Sequence, residues 1–130
     1  MRALAIALTL LAGAAQADES AIQGVIDRQL DAFRADDFAT AFTFAAPTIQ
    51  GMFGTPGNFG RMVMQGYPMV WRPATVEYLG AEPSARGWSQ DVLVTDAAGR
   101  LHKLRYMMVE TDAGWKIAGV QLLTAPEVGV

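Results

Sequence analysis

The chain has 130 residues, no cysteine and a net charge of −3, with 10 Lys and Arg set against 13 Asp and Glu. The basic residues form no run, which argues against nucleic acid or another polyphosphate as partner, and without thiols no disulfide can staple the fold, so stability must come from packing. A single His and no Cys leave too few preferred ligands for tetrahedral zinc, no Asp run has calcium-loop spacing, and neither a metal nor any other cofactor is implied.

Residues 1–17 have the form of an export signal. Arg2 gives the positive start, residues 3–12 the apolar stretch, and Ala15-Gln16-Ala17 the small-x-small cleavage signature, which predicts a mature chain beginning at Asp18. The apolar run is far shorter than the roughly 20 residues that cross a bilayer. No Cys follows it to carry a lipid. The expectation is a soluble protein exported to a bacterial periplasm or secreted, free of the membrane after cleavage. Residues 18–130 then form one small domain around one core.

Ser20 or Asp18 can cap a first helix whose apolar positions Ile22, Val25, Ile26, Leu30 and Phe33 make one continuous stripe. Asp36-Asp37 breaks that pattern and offers a cap to a second helix carrying Phe38, Ala41, Phe42 and Ala45, which ends before Pro47 and pairs antiparallel with the first. Residues 48–57 hold three Gly, two Thr and a Pro, which predicts a loop with a short strand over 49–53. Asn58 can cap a third helix to about Tyr67 that displays Phe59, Met62, Val63 and Tyr67, although Gly60 and Gly66 weaken it by about 1 kcal/mol each relative to Ala. After Trp71-Arg72-Pro73 the chain becomes extended. Val76 and Tyr78 alternate with Glu77 and Leu79 in a first strand that ends near Pro83, and residues 84–87 turn the chain toward Trp88.

Residues 88–122 are the most legible stretch, three antiparallel strands joined by two hairpins. Asp96-Ala97-Ala98-Gly99 and Thr111-Asp112-Ala113-Gly114 both suit a type I turn closed by a Gly bulge. That geometry sets Val94 opposite His102, Val92 opposite Leu104, Gln90 opposite Tyr106 and Trp88 opposite Met108; on the second hairpin it sets Met108 against Ala118, Tyr106 against Val120 and Leu104 against Leu122. Strand alternation puts all of these on one face, which is apolar apart from Gln90, His102 and Tyr106. The other face carries Ser89, Thr95, Lys103 and Gln121, with Asp91 and Arg105 as cross-strand neighbours; near the second turn Glu110 and Lys116 make an exposed cross-strand ion pair. Met107, Val109, Trp115 and Ile117 fall on this wetter side and suggest either a strongly curved sheet or a homodimer interface. Helices first and a meander second make an α+β fold, N-terminal helices packed on a curved antiparallel sheet of about four strands.

The helix pair with its Asp-Asp junction, the phrase from Asn58 through Tyr67-Pro68, and the closing pattern Tyr106 to Glu110 followed by Gly114-Trp115-Lys116-Ile117-Ala118-Gly119-Val120 resemble the bacterial family called domain of unknown function 4864. That family is similar to the nuclear transport factor 2-like (SnoaL-like) superfamily, and the resemblance covers nearly the whole mature chain. It implies a cone-shaped fold with an internal cavity and implies little about activity, since the superfamily includes isomerases, dehydratases and non-catalytic binding domains.

Within such a cone the candidate ligand contacts are Gln90, His102 and Tyr106 on the sheet and Tyr67 on the third helix, with Asp36 and Asp37 at the helix junction in reach. An imidazole, a phenol and a carboxylate together could abstract a proton beside a carbonyl. Each also has an ordinary structural use, His102 beside a turn, Tyr106 as core, and the Asp pair as helix caps, so no catalytic residue is assigned. Met62, Met64 and Met69 raise a soft copper site, but Met is a common core filler. The leading reading is an exported, non-catalytic domain that holds a small, largely apolar ligand in its cone. The alternatives are an interaction or dimerisation module using the outer sheet face, and a SnoaL-like isomerase or hydratase.

Overall fold

The first helix lays an apolar stripe on the inward face of a four-stranded sheet, and the other helices fill the space at one edge. The computed structural model describes residues 2–123, with side chains from Gly13 onward. Its elements are α1 (Arg2–Arg34), α2 (Phe38–Thr43), α3 (Pro47–Phe53), α4 (Pro56–Gly66), α5 (Pro68–Trp71), β1 (Thr75–Ser84), β2 (Gly87–Thr95), β3 (Leu101–Thr111) and β4 (Gly114–Leu123). The strands form an antiparallel meander in the order β1-β2-β3-β4. The α+β class expected from the sequence is the observed one.

The stripe works as its spacing requires. Ile22, Ile26, Leu30 and Phe33 are buried against a sheet face made by Val92, Val94, Leu104, Tyr106 and Met108. Each such side chain taken from water contributes about 1.5–3 kcal/mol, so this interface dominates the fold's stability. α1 does not begin at Asp18 or Ser20 as the capping pattern suggested, but runs unbroken through both. Good helix formers such as Ala15, Gln16, Ala17 and Glu19 carry it across.

Asp37 caps α2 as expected, its carboxylate accepting from Thr40 N at 3.1 Å. The loop expected over 48–57, with a short strand over 49–53, is instead mostly helical: α3 runs to Phe53 and α4 begins at Pro56. Pro47 sits at the first turn of α3 after an extended Ala46, where a missing N–H costs nothing. Gln50 Nε2 then donates to Phe42 O and Ala45 O, tying α3 to the end of α2. α4 also starts earlier than its Asn58 signal. Thr55 is the cap, accepting from Asn58 N at 3.2 Å, while the Asn58 side chain donates back to Phe53 O. The four-residue α5 was not anticipated from the sequence.

Between β2 and β3 the pairs are those the turn chemistry implied, from Val94 opposite His102 to Trp88 opposite Met108. Between β3 and β4 the distal pairs Tyr106–Val120 and Leu104–Leu122 also stand. Nearer the turn the register differs by one. Met108 lies opposite Ile117, not Ala118, because the extra residue sits in a bulge between the Met108–Ile117 and Met107–Gly119 pairs. Lys116 therefore lies across from Val109, and its ammonium donates to Thr43 O at 2.8 Å in place of the expected partnership with Glu110. The bulge turns Ile117 inward, 5 % exposed, and its backbone bonds the helical layer: Ile117 N donates to Phe44 O at 2.9 Å and Ala46 N donates to Ile117 O at 2.8 Å.

Two glycines are required by close approach. A Cβ on Gly60 would lie 2.7 Å from the Phe38 ring, so α4 can press on α2 only with glycine there. A Cβ on Gly87 would lie 2.0 Å from the Met108 carbonyl oxygen, a clash with backbone that no side-chain rotation relieves. Gly66 by contrast faces open space. Gly87→Ala is expected to destabilise by about 2–4 kcal/mol in urea unfolding. Gly66→Ala should leave stability unchanged or raise it by up to about 1 kcal/mol.

Candidate functional site

A cavity of about 360 Å³ lies between the helical layer and the outer edge of β4. α1 contributes Phe33, α3 and α4 contribute Phe53, Phe59 and Met62, and β4 closes it with Ile117 and Val120. Phe59 organises the aromatic wall, its ring centroid 5.9 Å from Phe33, 5.3 Å from Phe42 and 5.9 Å from Phe53. Such tilted and edge-on contacts suit aromatic quadrupoles and hold the wall rigid. No Asp, Glu, Lys, Arg or His is among the lining residues.

Two polar side chains reach this wall. Tyr67 stands at the end of α4, and its hydroxyl donates to Val120 O at 3.3 Å. Gln29 is 3 % exposed, and its Nε2 donates to Ala41 O at 3.2 Å. A carbonyl can only accept, so the nitrogen must face Ala41, and the amide oxygen makes no hydrogen bond among the described residues. Gln29 was not singled out from the sequence, although the signal was present: it continues the helical spacing of Ile22, Ile26 and Phe33 as a polar residue inside an apolar stripe.

The remaining sheet candidates lie outside the cavity lining. Gln90 is fully buried and bonds within the protein. Its Nε2 donates to Asp91 O at 2.8 Å and Leu79 O at 3.1 Å, and its Oε1 accepts from Gln23 Nε2 at 3.2 Å. It thereby satisfies a carbonyl freed where the β1–β2 register shifts between Tyr78 and Ala81, and ties both strands to α1. Tyr78 reinforces this link, its hydroxyl donating to the Asp27 carboxylate and lying 3.2 Å from Gln23 O, and burial together with the Asp27 carboxylate pushes its phenol far above the ordinary value.

His102 faces inward at the start of β3, where its Nε2 lies 2.8 Å from Asp96 Oδ2 across the first turn. The carboxylate accepts, so the imidazole donates. Asp96 also accepts from the backbone N–H of Ala98 and Arg100. The His102 ring first, then these N–H groups, hold the Asp96 carboxyl well below the usual range. Tyr106 is fully buried in the middle of the sheet with no partner for its hydroxyl among the described residues, and burial raises its pKa.

At the helix junction Asp37 is a cap, and Asp36 is a clamp. Asp36, at φ 54°, accepts from Trp71 Nε1 at 2.9 Å and pairs with Arg72 at 2.8 Å, two contacts that hold its carboxyl below the ordinary value and fasten α5 to the end of α1. The four residues offered as an outer interface are also divided. Ile117 faces the cavity, Trp115 is half-buried against the core, Val109 is half-buried, and Met107 is the exposed member at 38 %. The bulge in β4 is the reason, since it moves both Trp115 and Ile117 to the inner face. On the outer face Arg105 grips Asp91 through two bonds, Nε to Oδ1 at 2.8 Å and Nη2 to Oδ2 at 3.1 Å.

Asp96 has a depressed folded pKa, so its stabilisation is fully present above the unfolded carboxylate value and fades as pH falls through it toward the folded one. Asp96→Asn should therefore be less stable than the parent protein at about pH 7, and the gap should narrow by about pH 3, as read from urea midpoints. Tyr106→Phe removes a buried hydroxyl that has no partner and should raise stability by about 1 kcal/mol in the same assay.

In comparisons with known proteins, residues 15–130 match the model of a family described as domain of unknown function (DUF4864). No curated protein and no solved structure matches the chain. With the match extending from the middle of α1 through the last strand, the chain belongs to the DUF4864 family.

Proposed function

We propose that this protein is an exported, non-catalytic binding domain whose cavity at the β4 edge holds a small, uncharged, largely apolar molecule. The observation that carries the reading is the cavity itself. At about 360 Å³ it falls within the size range of small-molecule sites, and an apolar wall with a few placed polar groups is the usual composition of such sites. The likeness to the nuclear transport factor 2-like superfamily, whose members enclose a cavity between helices and a curved sheet, supports the same reading. Catalysis is the weaker alternative. The lining offers no imidazole, carboxylate or amine to move a proton, and His102 is engaged with Asp96.

Export rests on the leader-like start of the chain and on where packing begins. Residues 13–17 are exposed, and the first buried side chain among the described residues is Ile22, so cleavage after Ala17 would remove no buried side chain among the described residues. The family match also begins close to that point, at residue 15.

Native mass spectrometry of protein recovered from a bacterial periplasmic fraction tests both halves of the reading. The expected result is a chain starting at Asp18 that carries a copurified neutral small molecule, or binds the neutral fluorophore 1-aminoanthracene, with Met62→Trp losing either ligand while its circular dichroism is unchanged. Uncleaved protein in the cytoplasm would contradict export. An empty protein that also ignores the fluorophore would contradict the binding reading.

A further inference from the structure

The cavity wall contains a polar group that belongs to no side chain. Ile117 turns its N–H and C=O away from β3, because both bond to the Phe44–Ala46 segment. Met108–Ile117 is therefore a pair of the antiparallel ladder that exchanges no bonds, and the alternation along β3 makes Tyr106–Val120 another. The Val120 peptide groups thus also point to the open edge, as the bond from the Tyr67 hydroxyl to Val120 O shows directly. Val120 lines the cavity, and among the described residues nothing accepts from its N–H.

We infer that the Val120 N–H is the anchoring donor of this site and that the ligand is a neutral molecule with a carbonyl oxygen on an alkyl or aromatic body. The inference rests on the binding reading above and narrows its ligand class. A hydrocarbon would leave that N–H without a partner in an apolar space, which costs free energy. A carboxylate would satisfy it but bring a charge into a wall that holds no cation, which costs more. A carbonyl oxygen satisfies the donor at no such cost. Gln29 Oε1 adds an acceptor for any hydroxyl or amide N–H the ligand also carries.

The test compares three probes of similar shape, butylbenzene, 1-phenylbutan-1-one and 4-phenylbutanoate, by calorimetric titration of the full chain. The ketone should bind about tenfold more tightly than either of the others. Val120→Pro removes the N–H at an edge position where proline is tolerated, and should bring the ketone to within about twofold of butylbenzene. An amide spectrum of the unmutated, nitrogen-15-labelled protein gives a reading that no folding defect can cloud. The Val120 proton should move downfield with the ketone and not with butylbenzene. Equal binding of ketone and hydrocarbon, equal shifts, or an undiminished ketone preference in Val120→Pro would overturn the anchor while leaving the binding reading intact. Failure of all three probes would overturn both.

Discussion

One extra residue in β4 decides how the two layers of this protein meet. Were β4 regular, Ile117 would face outward opposite Val109, and its N–H and C=O would be used within the β3–β4 ladder, out of reach of the helical layer. The bulge between the Met108–Ile117 and Met107–Gly119 pairs instead delivers the Ile117 side chain to the core, 5 % exposed, and presents its backbone to residues 44–46. Two backbone bonds then fix where α2 ends and α3 begins. Their placement holds α3 and α4 beside the edge of β4, leaving the cavity between them.

The packing is otherwise conventional, and its polar exceptions are informative because they differ. Gln90 is fully buried and bonded on both sides of its amide, so it costs little and orders the irregular middle of β1. Gln29 is bonded at its nitrogen and borders the cavity. Tyr106 is sealed without a partner and is the least satisfied group among the described side chains. A buried polar atom with its partners rigidifies a core, and one without them costs stability. On that criterion Gln29 is a better site residue than the more conspicuous His102 and Tyr106.

The sequence was most readable where local chemistry alone sets geometry. A side-chain oxygen at the first turn position and Gly at the fourth fixed the β2–β3 register to the residue, and the stripe on α1 named its buried face. α3 was hidden because three Gly, two Thr and a Pro across 48–57 suggest a loop. Its stability comes from Gln50 bonding carbonyls of the preceding segment, a tertiary contact that no propensity carries. The bulge did leave a trace. The apolar residues of β4 are odd-numbered at Trp115 and Ile117 and even-numbered at Val120 and Leu122, a change of parity that only an inserted residue reconciles with one buried face. Taking that change for an outer patch, instead of a bulge, produced the interface candidates. The cavity could not be located from the sequence for the same reason, since it depends on which residue the bulge turns inward.

Amide hydrogen exchange along β4, resolved residue by residue, bears most directly on this arrangement. Protection of the Ile117 and Ala46 amides to the level of the central strands, beside rapid exchange at Val120, is the pattern that a bulge bonded to the helical layer requires. Rapid exchange at the Ala46 amide, beside an Ile117 amide protected by bonding across to Val109, would mean that β4 runs regularly and that the two layers are joined in some other way.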